Sequence, residues 1–190
     1  MKEQLRASFL LLVALTLLTG VAYPLAVTGI AQVLFPERAN GSLLVRNGQA
    51  RGSTLIGQPF ADPRYFWGRL SATGPFPYNA AASSGSNMAP TNPALLDTAK
   101  ARIEALRAAD PGNRAPVPVD LVTAAGSGLD PHISPAAALY QVSRVARLRG
   151  LPEDQVRRFV AQNTEGPTFG ALGEARVHVL RLNLDLDAAR

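Results

Sequence analysis

Apolar residues are distributed along this chain in three ways, and each predicts a different kind of element. From Ser8 to Phe35 they form an unbroken stretch, SFLLLVALTLLTGVAYPLAVTGIAQVLF, with no formally charged side chain. A hydrocarbon core about 30 Å thick needs about 20 apolar residues in helical conformation. The stretch therefore predicts a transmembrane helix, placed at residues 8–30, with a tail at 1–7 and one domain over 31–190. Beyond the anchor the pattern turns helical. Leu95, Leu96, Ala99, Ile103 and Leu106 share a stripe from which Asp97, Lys100, Glu104 and Arg107 are absent, which predicts a helix from Asn92-Pro93 to about Ala109. A second helix is expected from Pro135 to about Arg149, capped by Ser134, with Ala138, Leu139, Val142, Val145 and Ala146 inward. Arg144 and Arg147 then point to solvent and Gln141 sits on the flank. A third starts near Pro152-Glu153-Asp154, runs to about Gln162 and is stopped by Gly166-Pro167.

The third distribution is short apolar runs and alternation. Ser42–Arg46 and Gly52–Ile56 flank Asn47-Gly48, a strong two-residue hairpin cue. Val117–Thr123 resembles a buried strand, and Val177–Leu186 alternates Leu180, Leu182, Leu184 and Leu186 with Arg181, Asn183 and Asp185. The expected fold class is α+β: one N-terminal transmembrane helix followed by one outward-facing α+β domain.

The competing explanation of the N-terminal stretch is a cleaved signal peptide, with Lys2 and Arg6 as its basic leader. Its apolar character runs well past a signal-like core of roughly 7–15 residues, and no A-x-A site follows Leu18, which favours an anchor. Lys2, Arg6 and the terminal amine favour a cytoplasmic N-terminus, against Arg38, Arg46 and Arg51 on the other side. Long domains translocate largely regardless of charge, so the domain is expected outside, in the periplasm. Thr16, Gly20, Pro24 and Thr28 recur every four residues on one ribbon of the helix. Small residues there admit a second helix, although Gly, Pro and Thr are also simply tolerated in membrane helices. Pro24 removes a backbone donor and predicts a kink near Ala22–Tyr23.

Composition narrows the chemistry. The formal charge of +5 is spread along the chain, with no basic stripe for nucleic acid. The chain has no cysteine, which excludes disulfides and thiolate chemistry, and its two histidines leave little for zinc. It carries no G-x-x-x-x-G-K-[ST] loop, no P-type phosphorylation motif, no G-x-S-x-G and no H-E-x-x-H, which argues against a free-standing anchored enzyme. No catalytic residue and no metal ligand is assigned.

Gly57–Pro93 is rich in Gly, Pro, Ser and Asn yet carries Phe60, Tyr65, Phe66, Trp67, Phe76 and Tyr78. A long irregular segment with aromatics is either a binding surface or a loop closing the core beneath it. Tyr65, Trp67 and Tyr78 are the candidate surface residues. In Gly126–Ser134, Ser127, Asp130 and His132 are candidates for a partner or ion surface, because a hard ion such as potassium takes oxygen ligands. Turn and cap chemistry explains the same residues without a ligand.

The phrases ANGSLL, GSTLIGQPF, YFWGR-x-SAT, PYNAAAS-x-GSN, TNPAL, VPVDLVTAAGSGLDPHISP and LNLDLD, behind a single anchor, resemble the C subunit of the Kdp-type potassium-transporting P-type ATPase over nearly the whole chain. Leu70 stands where that family usually has Pro, and Ser84 where it usually has Gly. The resemblance implies a single-pass subunit of the bacterial inner membrane, in a complex that imports potassium at the expense of ATP. Its implied partners are a potassium-selective channel-like subunit, a P-type ATPase subunit and a small single-helix subunit. ATP and potassium would be handled by the complex, with no cofactor held by this chain. Two roles compete: assembly and coupling of the channel-like and ATPase subunits, or a catalytic chaperone that raises ATP affinity. For the second, Gln141 in LYQVSRVAR matches the glutamine to which the family's nucleotide contact is attributed.

Overall fold

The structure, a computed structural model, describes residues 1–189. The chain divides into two compact units, Met1–Arg51 and Gly52–Arg190. In the first, α1 (Lys2–Leu17) and α2 (Tyr23–Leu34) are joined through a π-helical turn, Leu18–Ala22, into one helix spanning Lys2–Leu34. At 33 residues it is long and apolar enough to cross a membrane, and none of its residues is buried. The expected disturbance at Pro24 takes the form of this π turn, the wider winding that lets a helix continue past a missing donor. A single turn, α3 (Pro36–Ala39), follows. The hairpin forms from β1 (Leu43–Arg46) and β2 (Gln49–Ser53), so the second strand begins three residues earlier than expected, directly after the turn. Asn47 and Gly48 both have positive φ, 53° and 73°, as a two-residue hairpin turn of primed type requires.

In the second unit, α4 (Pro93–Ala109), α5 (Pro135–Arg149) and α6 (Glu153–Gln162) have the expected bounds. The side chains of Asn92 and Ser134 accept hydrogen bonds from the N–H groups of Ala94 and Ala137, which sets the first two starts. Gly150 closes α5 in the left-handed conformation, φ 66°. A three-stranded antiparallel sheet, order β3 (His132–Ile133), β5 (Arg176–His178), β4 (Thr164–Glu165), pairs His132 with His178 and Thr164 with Val177. The core joins Ile133 and Val177 of the sheet to Val142 and Val145 of α5, Val156 and Val160 of α6, Leu106 of α4 and Leu121.

Several expectations are corrected. Val177–Leu186 is not one strand: β5 ends at His178 and α7 (Val179–Ala188) follows. Alternating leucines satisfy either period, but the buried set Val179, Leu180, Leu182, Asn183 and Leu186 is helical, and the His178 imidazole caps the helix by accepting from the Arg181 N–H. Val117–Thr123 is not a strand either. Pro116 and Pro118 cannot donate to a ladder, and Val119–Leu121 forms a 3-10 turn. Leu96 and Leu139 are exposed, each at the edge of its stripe. Arg144, expected in solvent, is 1% exposed, because its guanidinium finds carbonyl acceptors and an aromatic face inside the domain.

Residues 57–92 lack regular structure apart from a turn at Ala80–Ala82 and an isolated bridge between Leu70 and Ala124, and they are held by side-chain-to-backbone bonds. The Ser71 hydroxyl donates to the Gly128 carbonyl at 2.7 Å and accepts from the Tyr78 N–H at 2.8 Å. Asn79 donates to the Gly74 carbonyl at 2.7 Å. Phe66 and Trp67 are core residues, whereas Phe76 is exposed.

Candidate functional site

Two polar clusters hold Trp67, Gln141, Asp130 and His132 among the residues singled out in the sequence. The first is interior. Phe66 and Trp67 lie in the core outside any strand or helix, so their backbone groups need other partners. Two carboxamides supply them. Gln141 on α5 accepts from the Trp67 N–H at 2.8 Å and donates to the Trp67 carbonyl at 3.1 Å. Asn183 on α7 does the same for Phe66, at 2.9 Å and 3.0 Å. Gln141 also donates to the Ala137 carbonyl and accepts from Arg144 at 2.6 Å. Arg144 donates further to the carbonyls of Tyr65 and Pro63. Its guanidinium lies 4.8 Å from the Trp67 ring centre, and Arg102 lies 4.9 Å from it. Burial pulls Arg144 down to about 10, partly offset by the charge of Asp110. Gln141 is itself 1% exposed.

The second cluster lies between β3 and the loops around it. Asp130 accepts from the His132 N–H at 3.0 Å, its Oδ1 is 3.2 Å from His132 Nδ1, and Arg69 donates to its Oδ2 at 3.3 Å. Burial raises the Asp130 carboxyl, but the hydrogen bonds from His132 and the charge of Arg69 outweigh it, leaving it below its ordinary range. His132 Nε2 is 3.9 Å from Glu165, which also pairs with Arg176 and Arg181. Beneath it, 5.2 Å away edge to face, the His178 Nε2 is 2.9 Å from the Thr54 carbonyl. Burial lowers the His178 pKa, opposed by that bond to Thr54. Arg69, Asp130, His132, Ser134 and Arg176 line a cleft of about 360 Å3. Among the described residues no group of three or more His, Cys, Asp or Glu could hold a metal ion.

The remaining candidates are spread out. Ser127 accepts from the Leu129 N–H within its own turn. The Tyr78 hydroxyl donates to the Arg69 carbonyl at 2.7 Å, and burial pushes its pKa up to about 12. Tyr65 donates to Asp187 at 3.1 Å and packs on Phe60 and under Arg149. Trp67 is 7% exposed and donates its indole N–H to the Asp62 carbonyl. Thr16, Gly20, Pro24 and Thr28 all lie exposed on the long helix, and a Cβ on Gly20 would meet only Thr16, at 4.0 Å. Arg144 and Asn183 were not legible as interior hydrogen-bonding residues. The available signal was position 141 itself, which falls on the same stripe as Ala137, Ala138 and Val145.

A family model described as the c chain of the K+-transporting ATPase (KdpC) matches residues 5–188. A potassium-transporting ATPase KdpC subunit from Polaromonas naphthalenivorans (strain CJ2) is 70% identical over 190 residues, 100% of this chain and 97% of its own length. Proteins with the same description from Sorangium cellulosum (strain So ce56) and Methylococcus capsulatus (strain ATCC 33009 / NCIMB 11132 / Bath) are 65% and 64% identical, each over 100% of both chains.

Proposed function

The chain belongs to the family of the K+-transporting ATPase c chain, and on that premise we propose that it is an accessory subunit that assembles and couples a potassium-importing ATPase complex. It is anchored in the bacterial inner membrane by its single long apolar helix, with the N-terminus cytoplasmic and the α+β domain periplasmic. Its partners are the channel-like subunit, the P-type ATPase subunit and the small single-helix subunit. The face carrying Thr16, Gly20, Pro24 and Thr28 packs against one of their helices. ATP and potassium are handled by the complex, and the chain holds no cofactor.

The observation that carries this reading is the condition of Gln141. Its carboxamide oxygen accepts from Trp67 and Arg144, and its nitrogen donates to two carbonyls. An amide offers two donors and one acceptor oxygen, so little capacity is left for a nucleotide. Any effect on ATP affinity then travels through coupled subunits, which linkage permits without contact. Because the chain has no cysteine, one experiment tests the arrangement. Glu104→Cys, on the exposed face of α4, is expected to react with a membrane-impermeant maleimide in intact cells. Protection until lysis would place the domain beside cytosolic ATP and favour direct nucleotide contact.

A further inference from the structure

Strands β4 and β5 are the two arms of a hairpin, and the segment that joins them, residues 166–175, forms a largely exposed finger. Residues 166–173 read GPTFGALG, without a charged side chain. Thr168 and Leu172 each donate a backbone N–H to the other's carbonyl, at 2.8 Å and 2.9 Å, and the Ala171 N–H closes a turn onto the Thr168 carbonyl at 3.3 Å. The two central residues of that turn, Phe169 and Gly170, have positive φ, 54° and 75°. Gly, Asn or Asp normally fills such positions, because bulkier side chains are strained there. Phe169 gains no burial in return: it is 94% exposed, and Leu172 is 64% exposed. Neither the turn nor the core accounts for two large apolar side chains at the tip.

The path of the chain indicates what the tip meets. The segment arriving from the long helix enters this unit at Gly52 and is fixed at Thr54, whose carbonyl lies 2.9 Å from His178 Nε2. His178 is the last residue of β5, and the finger leaves from its first, Arg176, about 7 Å away at the rise of a strand. The root of the finger is thus beside the tether. Residues 35–51, which connect the helix to this unit, span no more than about 60 Å fully extended, and α3 and the β1–β2 hairpin shorten them. A buried aromatic ring contributes roughly 150–250 Å2, so two apolar side chains fall well short of the roughly 800 Å2 per partner of a stable protein interface. A lipid surface needs no matched pocket, and tethering lets a weak contact suffice. We propose that this finger is a second membrane contact, with Phe169 and Leu172 entering the interfacial layer of the bilayer that holds the anchor. The charged root limits its depth: Glu165 and Arg176, paired at 2.9 Å, stay among the head groups with Glu174 while the uncharged tip passes them. The contact rests on the anchoring of the long helix and not on which side of the membrane the domain lies.

Because the chain has no cysteine, Thr168→Cys, exposed beside Phe169, gives a single site for a nitrobenzoxadiazole fluorophore. The labelled full chain is reconstituted into vesicles of phosphatidylethanolamine and phosphatidylglycerol, with or without lipid carrying a nitroxide near the head-group end of its acyl chain. The nitroxide lipid is expected to quench the fluorophore, and Phe169→Ser with Leu172→Ser in the same chain should abolish most of that loss. Both serines replace exposed side chains, and Trp67 fluorescence reports that the fold is kept. Flotation with the vesicles reads the anchor separately, and a chain that does not float would overturn the anchor and the proposal together. A floating chain whose label is not quenched would overturn the finger contact alone. Shielding from aqueous iodide that appears only with the other subunits present would assign the tip to a protein pocket instead. Quenching that the two serines leave unchanged would also overturn the proposal, because the fluorophore itself would then be seeking the lipid.

Discussion

Gln141, on α5, and Asp110, directly after α4, are both polar and both buried, yet they are buried in opposite conditions. Around Gln141 every nearby group is answered: the backbone of Trp67, the carbonyl of Ala137 and the guanidinium of Arg144 all have partners. Around Asp110 one carboxylate oxygen and the neighbouring Tyr140 phenol have none. Burial of a polar group therefore does not by itself mark a binding site. A satisfied cluster in the interior supplies the partners a neighbouring strand would otherwise give and holds the fold, while an unsatisfied one is a cost the fold carries.

The sharpest way to break this contrast is to remove Gln141. Gln141→Leu fills nearly the same volume but strands the Trp67 N–H and carbonyl and takes an acceptor from Arg144. Each buried group left unpaired costs about 1–3 kcal/mol, so a loss of about 3 kcal/mol or more is expected. That is a large part of the 5–15 kcal/mol typical of a domain. Trp67 is the only tryptophan, so its fluorescence through a denaturant titration reads the change at the site itself. A loss below about 1 kcal/mol would mean that the cluster is not structural.

An intermediate effect is expected at His178, where protonation can be used as the perturbation. The imidazole donates from Nε2 to the Thr54 carbonyl and accepts at Nδ1 from the Arg181 N–H, an arrangement only the neutral ring can make. The faces around it also carry the His132 ring, the Arg181 charge and Glu165, of which only the last favours the cation. Its folded pKa lies below the unfolded value of about 6.5. The neutral ring's contribution is therefore complete above about pH 6.5 and is lost as pH falls below it, because the unfolded chain then binds a proton the folded chain resists. The slope is at most about 1.4 kcal/mol per pH unit for one proton. Comparing stability at pH 7 and pH 5.5 with that of His178→Gln checks it. A variant that loses as much stability as the natural chain over that interval would assign the slope to other groups.

These contrasts also show what could be read from the sequence. Helices α4, α5 and α6 and the hairpin turn were legible because their signals are local: Asn92 and Ser134 as caps, Pro93 and Pro135 at first helical positions, Asn47-Gly48 between apolar runs. The C-terminal segment was misread because leucine at every second position fits either period. The interior cluster was not legible for a different reason. Gln141 meets Trp67 across 74 positions of sequence and Asn183 meets Phe66 across 117, and nothing near Phe66 and Trp67 indicates that their backbone lacks a strand partner. The same holds for Asp110, whose sequence context ends a helix whether or not its second oxygen is paired.

The smallest expected effect is the one that separates the two conditions most cleanly. Tyr140→Phe deletes a hydroxyl that makes no hydrogen bond and keeps the ring that packs against the core. Removing a satisfied hydroxyl usually costs about 1 kcal/mol, whereas removing an unsatisfied one relieves a desolvation penalty. The stability of the variant should therefore stay within about 0.5 kcal/mol of the natural chain, or rise, when measured by the same Trp67 titration. A loss above about 1 kcal/mol would show that the phenol is already satisfied, leaving the Asp110 oxygen as the one unpaired group of this pair.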